Sequence, residues 1–132
     1  MRYGHNITVA SVLVAVICSG CSRPGLSMDD KEPATFHLTG SNQVESFQVG
    51  NSAGRVWLLY PKKKRLSLNE LATITYGEVP AACWQEIPTN AATPPPLLEG
   101  QEYYAFAVIF DDPPVRVRFT VKGGKIIQLS AD

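Results

Sequence analysis

Two hydrophobic rhythms divide the chain. Residues 9–17 form one apolar block broken only by Ser11, whereas from Ala34 onward apolar residues come in short runs with a period of two. A period of two is the strand pattern, because successive side chains of an extended chain point to opposite faces. Phe36 and Leu38 alternate with Thr35, His37 and Thr39, and Gly40-Ser41-Asn42 then turns the chain. Residues 44–49 make a weaker run, closed by Gly50-Asn51-Ser52-Ala53-Gly54. Residues 55–60 place Val56, Leu58 and Tyr60 on one face and Trp57 and Leu59 on the other, which predicts a central strand or a patch. Residues 103–110 are also apolar on both faces and predict a strand covered on two sides. Val115, Val117, Phe119 and Val121 alternate strictly with Arg116, Arg118 and Thr120. Gly123-Gly124 suits a hairpin turn at positive φ, and Ile127 and Leu129 alternate with Ile126 and Gln128 on the return.

The middle of the chain mixes signals. Ser67-Leu68-Asn69-Glu70 fits a capping box, but Thr73-Ile74-Thr75-Tyr76 is β-branched and aromatic, so one helical turn followed by a strand is expected. Residues 82–87 are a further candidate strand carrying Cys83 and Trp84. Residues 88–100, with Pro94-Pro95-Pro96, are the longest loop; prolines cannot donate to a ladder, so it is expected extended and at the surface. Seven or eight short strands without a long amphipathic helix imply an all-β fold, a single immunoglobulin-like β-sandwich of about seven strands, with a small β-barrel as the alternative.

The apolar block at the front reads differently. It follows Arg2 and ends in Cys18-Ser19-Gly20-Cys21, the layout of a signal peptide: basic start, short apolar core, small-residue exit. It is well short of the roughly 20 residues a membrane-spanning helix needs. Ser22 to Pro33 is polar and turn-rich and reads as a tether. The expected domains are a signal peptide (1–20), an anchor and tether (21–33) and the β-sandwich (34–132).

Composition narrows the function classes. The chain holds 12 basic and 12 acidic residues, so no overall field would recruit nucleic acid. Of three cysteines, only Cys83 lies within the expected domain; it is expected to be buried and inert, the alternatives being an intermolecular disulfide or a catalytic thiolate. His37 sits in an alternating strand as an exposed polar position, and Asp111-Asp112 reads as a turn. Neither metal-ligand spacing nor a phosphate-cradling loop is seen, so no metal, no cofactor and no enzymatic activity is expected. Lys62, Lys63, Lys64 and Arg65 form the densest charge cluster, and Arg116 and Arg118 stand two apart on one strand face. Either set is a solvated surface or a contact for a partner, and the lysine turn also suits anionic headgroups.

Ser19, Gly20 and Cys21 resemble the lipobox of bacterial lipoproteins, although Cys18 stands where that family usually has Leu. The resemblance implies cleavage between Gly20 and Cys21 and acylation of Cys21, the alternative being an ordinary cleaved signal. With Ser22 next, where inner-membrane retention usually calls for Asp, it implies the periplasmic face of the outer membrane. Several acyl chains, each buried methylene worth roughly 0.8 kcal/mol, would make release slow. The stretches ATFHLT (34–39), Cys83, LEGQEYY (98–104) and the Gly123-Gly124 hairpin resemble small enterobacterial lipoproteins described as periplasmic immunity proteins of type VI secretion systems. Those often carry a second cysteine where this chain has Val44-Glu45-Ser46. The resemblance implies a non-enzymatic, membrane-anchored protein that blocks a toxin. The alternative is an envelope accessory lipoprotein, a pilot or scaffold for secretion or cell-wall machinery. Lys62, Lys63, Lys64, Arg65, the 88–100 loop, Arg116 and Arg118 are the candidate contacts.

Overall fold

Short alternating runs can bury their apolar faces only by stacking one sheet on another, and the chain does this. The computed structural model describes residues 23–129 of the 132. Strands are β1 (Gly25–Met28), β2 (Thr35–Thr39), β3 (Val44–Asn51), β4 (Gly54–Pro61), β5 (Thr73–Thr75), β6 (Cys83–Ile87), β7 (Glu102–Ile109), β8 (Val115–Lys122) and β9 (Lys125–Gln128). One helical turn, α1 (Leu68–Leu71), lies between β4 and β5. The strands form a three-stranded sheet, β1-β2-β5, and a six-stranded sheet, β6-β4-β3-β7-β8-β9, all antiparallel. The expected β-sandwich is present, and the sheets do not close into a barrel.

Phe36 and Leu38 of β2 and Ile74 of β5 face Phe47, Val49, Trp57, Leu59, Val117 and Phe119 of the larger sheet, all in one buried cluster. At its middle β7 contributes small residues, Ala105 and Ala107, between bulkier neighbours: Ala105 lies opposite Val49 and Val117, and Ala107 opposite Phe47 and Val115. Small residues there leave volume for rings, and an aromatic chain fills it. Phe36 lies 5.2 Å from Phe47 and 6.0 Å from Phe119, Phe47 contacts Trp57, and Trp57 contacts Tyr76. Trp57 donates its indole N–H to Gln85, whose amide in turn donates to the carbonyls of Pro88 and Ala92. The buried indole is therefore satisfied, and the start of the proline loop is tied down. Tyr76 donates to the Pro95 carbonyl, and the Leu98 amide donates to the Tyr103 hydroxyl. Burial pushes the Tyr76 phenol up to about 12.

Two expectations are corrected. The tether is shorter than residues 21–33, because β1 forms inside it: Leu26 and Met28 pair with Leu38 and Phe36 and pack against the core. The segment after β1 also joins the other sheet, with the Glu32 amide donating to the Gly124 carbonyl and the Ile126 amide to that of Asp30. Second, β7 is covered on one side only. Tyr103, Ala105, Ala107 and Ile109 are buried, whereas Tyr104, Phe106 and Val108 are half-buried, since the three-stranded sheet packs on one face alone. In β9, where the alternation left the inward face open, it is Ile126 that enters the core (4% exposed), leaving Ile127 at 43% and Leu129 at 42%.

The helical turn is as expected. Ser67 accepts from the Glu70 amide and its own amide donates to the Glu70 carboxylate, completing the capping box. That backbone hydrogen bond, with Lys63 nearby, holds the Glu70 carboxyl below its usual range.

Candidate functional site

The bare face of the six-stranded sheet is where chemistry-bearing side chains collect. Strand register places Leu58, Gln48, Phe106 and Arg116 side by side across four strands. The next row runs from Gly50 through Tyr104 to Arg118, whose carbonyl accepts from the Leu129 amide at the sheet edge. Toward the other edge Tyr60 lies opposite Trp84, with ring centroids 5.2 Å apart. Leu58 is only 2% exposed yet stands outside the core cluster, and Ser46 and Gln48 are polar yet buried. Such burial away from the core shows that the large side chains on this face lie across it and cover their smaller neighbours.

Gly50 makes one of these arrangements. A Cβ there would meet Tyr104 Cζ at 2.6 Å and the Gly54 carbonyl oxygen at 2.8 Å. The ring of Tyr104 thus occupies the space a side chain would take, and it stacks on Phe106 at 5.5 Å. The Arg116 guanidinium sits 5.9 Å above the Phe106 ring, a cation–π contact worth roughly 0.5–1 kcal/mol at an exposed site. Arg118 donates from Nε to Glu102 at 2.8 Å; both ends are half-exposed, so the pair fixes geometry more than it stabilises. Tyr104, Phe106, Arg116 and Arg118 line one groove. A cleft of about 530 Å³ adjoins it, lined by residues that include Asn51, Glu102, Tyr104 and Arg118.

The candidate contact residues fall into two groups. Arg116 and Arg118 lie in the aromatic face. Lys62, Lys63 and Lys64 follow β4 and line a separate groove with Tyr60, Trp84 and Glu45; Arg65 is exposed beyond them. β4 and β8 are separated by two strands, about 14 Å at the usual strand spacing. The two groups therefore flank one sheet face and do not converge on one point. The 88–100 loop is held by Gln85, Tyr76 and Tyr103. Gly20 and Cys21 lie outside the described residues. Charge patterning alone leaves Tyr104, Phe106, Trp84 and Gly50 unassigned; the signal that bears on the face is that residues 55–60 and 103–110 are apolar on both sides, more than one covered side requires.

The remaining reactive groups lie elsewhere. Cys83 is buried and free, and burial pushes its thiol up, against a smaller opposing effect of Lys62. His37 Nε2 lies 2.8 Å from Asp29 Oδ1, on the three-stranded sheet. Asp112 accepts from the Asn42 amide at the β7–β8 turn. Among the described residues no three His, Cys, Asp or Glu side chains are grouped to hold a metal, and no helix is long and apolar enough to cross a membrane.

Fold and face together define a β-sandwich with one sheet surface lined by aromatic rings and arginines. Comparison with protein-family models, with curated proteins and with solved structures finds no match to this chain.

Proposed function

We propose that the chain is a lipid-anchored protein of the cell envelope that binds another protein through the outer face of its six-stranded sheet, and that the bound protein is a toxin it blocks. The observation that carries the binding claim is the row Leu58–Gln48–Phe106–Arg116 with Tyr104 laid over Gly50. Tyr, Trp and Arg are the residue types that dominate binding energy at protein interfaces, Tyr and Trp because they offer large contact area with few rotamers to freeze, Arg because its planar guanidinium stacks and donates in a fixed fork. Here they are already held in place by stacking and by the Arg118–Glu102 pair, so little ordering remains to oppose association. Blocking a toxin needs such a surface and no bond-making chemistry. The lipid anchor at Cys21, cleavage after Gly20 and the outer-membrane address rest on the lipobox resemblance of residues 19–21.

The test is a survival assay. A strain lacking the gene is challenged by sibling cells and complemented with wild type, Arg116→Glu or Phe106→Ala. Wild type should restore survival, and the two variants should fail to do so while melting within a few degrees of wild type. A deletion strain that survives as well as its parent would remove the toxin-blocking role. Full protection by both variants would remove the sheet face from it.

A further inference from the structure

We propose that the lysine turn after β4, together with Tyr60 and Trp84, is a docking surface for an anionic phospholipid bilayer, the one in which the chain is anchored. The inference rests on the lipid anchor proposed above and adds an orientation to it.

The chain enters the domain a short way from the proposed anchor. Four Cα steps separate Cys21 from Gly25, the first residue of β1, a reach of about 14 Å at full extension. A domain on so short a leash is held against the bilayer, and some part of its surface must face the lipid. The end of the sandwich at which β1 begins is set by contacts. Pro24 packs against Gly40, since a Cβ on Gly40 would lie 3.0 Å from Pro24 Cα and 3.2 Å from Leu68 of α1. The Asn69 amide donates to the Gly40 carbonyl, and the Leu68 amide to that of Asn42. Only Leu66 and the cap residue Ser67 separate residues 62–65 from α1, and Lys63 reaches Glu70 of that turn at 3.6 Å. The chain entry at Pro24 and the basic turn therefore share one end of the described domain.

That end also displays chemistry suited to a headgroup layer. Lys62, Lys63, Lys64 and Arg65 are all exposed, and among the described residues only Lys63 of the four makes a salt bridge. Glu45 in the groove and Glu70 are the acids set against them, while Asp112 on the neighbouring turn is engaged by Asn42. Trp84 is 44% exposed beside Tyr60 in the same groove. Phe110, 58% exposed, lies at this end as well, its amide donating to Gln43, another lining residue. Amphipathic rings flanked by lysines match the headgroup layer, where rings partition at the interface and ammonium groups meet phosphates. The aromatic–arginine face around Phe106 then remains clear of the lipid for a protein partner.

Trp84 is its own reporter. The chain has two tryptophans, and Trp57 is wholly buried. The full chain is reconstituted with vesicles carrying brominated acyl chains, either phosphatidylcholine alone or with phosphatidylglycerol. Trp84 emission should be quenched in the anionic vesicles, much less so in neutral ones, and the quenchable part should vanish in Trp84→Phe. Replacing Lys62, Lys63 and Lys64 by Gln should weaken docking on the order of 100-fold, from the usual gain per basic residue at an anionic surface, and abolish the quenching. High salt should do the same to wild type. Equal quenching in both vesicle types, or none in anionic vesicles with which the chain floats, would overturn the proposal. Flotation with neutral vesicles reports the anchor separately. If it fails, quenching at excess anionic lipid still decides the docking surface.

Discussion

Gly50 shows how one missing side chain shapes a surface. With no Cβ at this position, Tyr104 lies flat over β3 and meets Phe106 in a stack, which in turn supports the Arg116 guanidinium. Gly50→Ala is expected to displace the Tyr104 ring and to press on the Gly54 carbonyl, an overpacking change that costs roughly 1–3 kcal/mol. A denaturant titration should show a lower midpoint with an unchanged slope, and partner binding should fall further than stability does. An unaltered midpoint would mean that the ring moves aside freely and that the stack contributes little. At this scale the sequence shows which residues are aromatic or charged, but not which share a face. Arg116 and Arg118 were legible as a pair because strict alternation in β8 puts them on one side. Tyr104 and Phe106 were not, because β7 is apolar at every position from Tyr103 to Ile109 and alternation carries no contrast there.

Among the elements, eight of the nine strands and the capped turn could be read from period-two runs and turn residues, since turns at Gly40, Gly54 and Gly123-Gly124 punctuate them. The one that escaped, β1, offers only Leu26 and Met28 as its signal, within a stretch of turn-forming and charged residues. Its stability is tertiary: it exists because β2 presents a partner and the core presents apolar surface to those two side chains. Amides within Gly25–Met28 that face β2 should therefore exchange with solvent orders of magnitude more slowly than those of an unstructured tether, in a hydrogen-exchange experiment read by mass spectrometry. Exchange at the rate of a random coil would restore a long leash and remove the argument that the domain is held near the bilayer. The face of β9 that enters the core, Ile126 and not its neighbours, was open for a related reason. Three apolar residues in five leave both registers plausible, and the Val121–Ile126 pairing across the hairpin selects one.

For the molecule as a whole, asymmetry between the sheets is the organising fact. Three strands cover one side of a six-stranded sheet, so the other side is presented to solvent with its rings and guanidinium groups in place. Surfaces of this kind on a sheet are common sites of association, because an exposed apolar patch rimmed by charge gains free energy when covered. The chain entry, the lysine turn and Trp84 lie toward one end of the sandwich, β1 against the β8 side and Trp84 on β6 at the far edge of the larger sheet, so that in the proposed arrangement a single body faces lipid and partner at once. The central claim is one of direction: the proposed partner meets the outer face of the larger sheet and not that of the smaller one. Photo-crosslinking in living cells measures this most directly, with a benzophenone amino acid placed at Phe106 in one strain and at Thr39, exposed on the three-stranded sheet, in another. The prediction is a discrete protein adduct from position 106, weakened by Arg116→Glu, and none from position 39. A discrete adduct from position 39 with none from position 106 would contradict it.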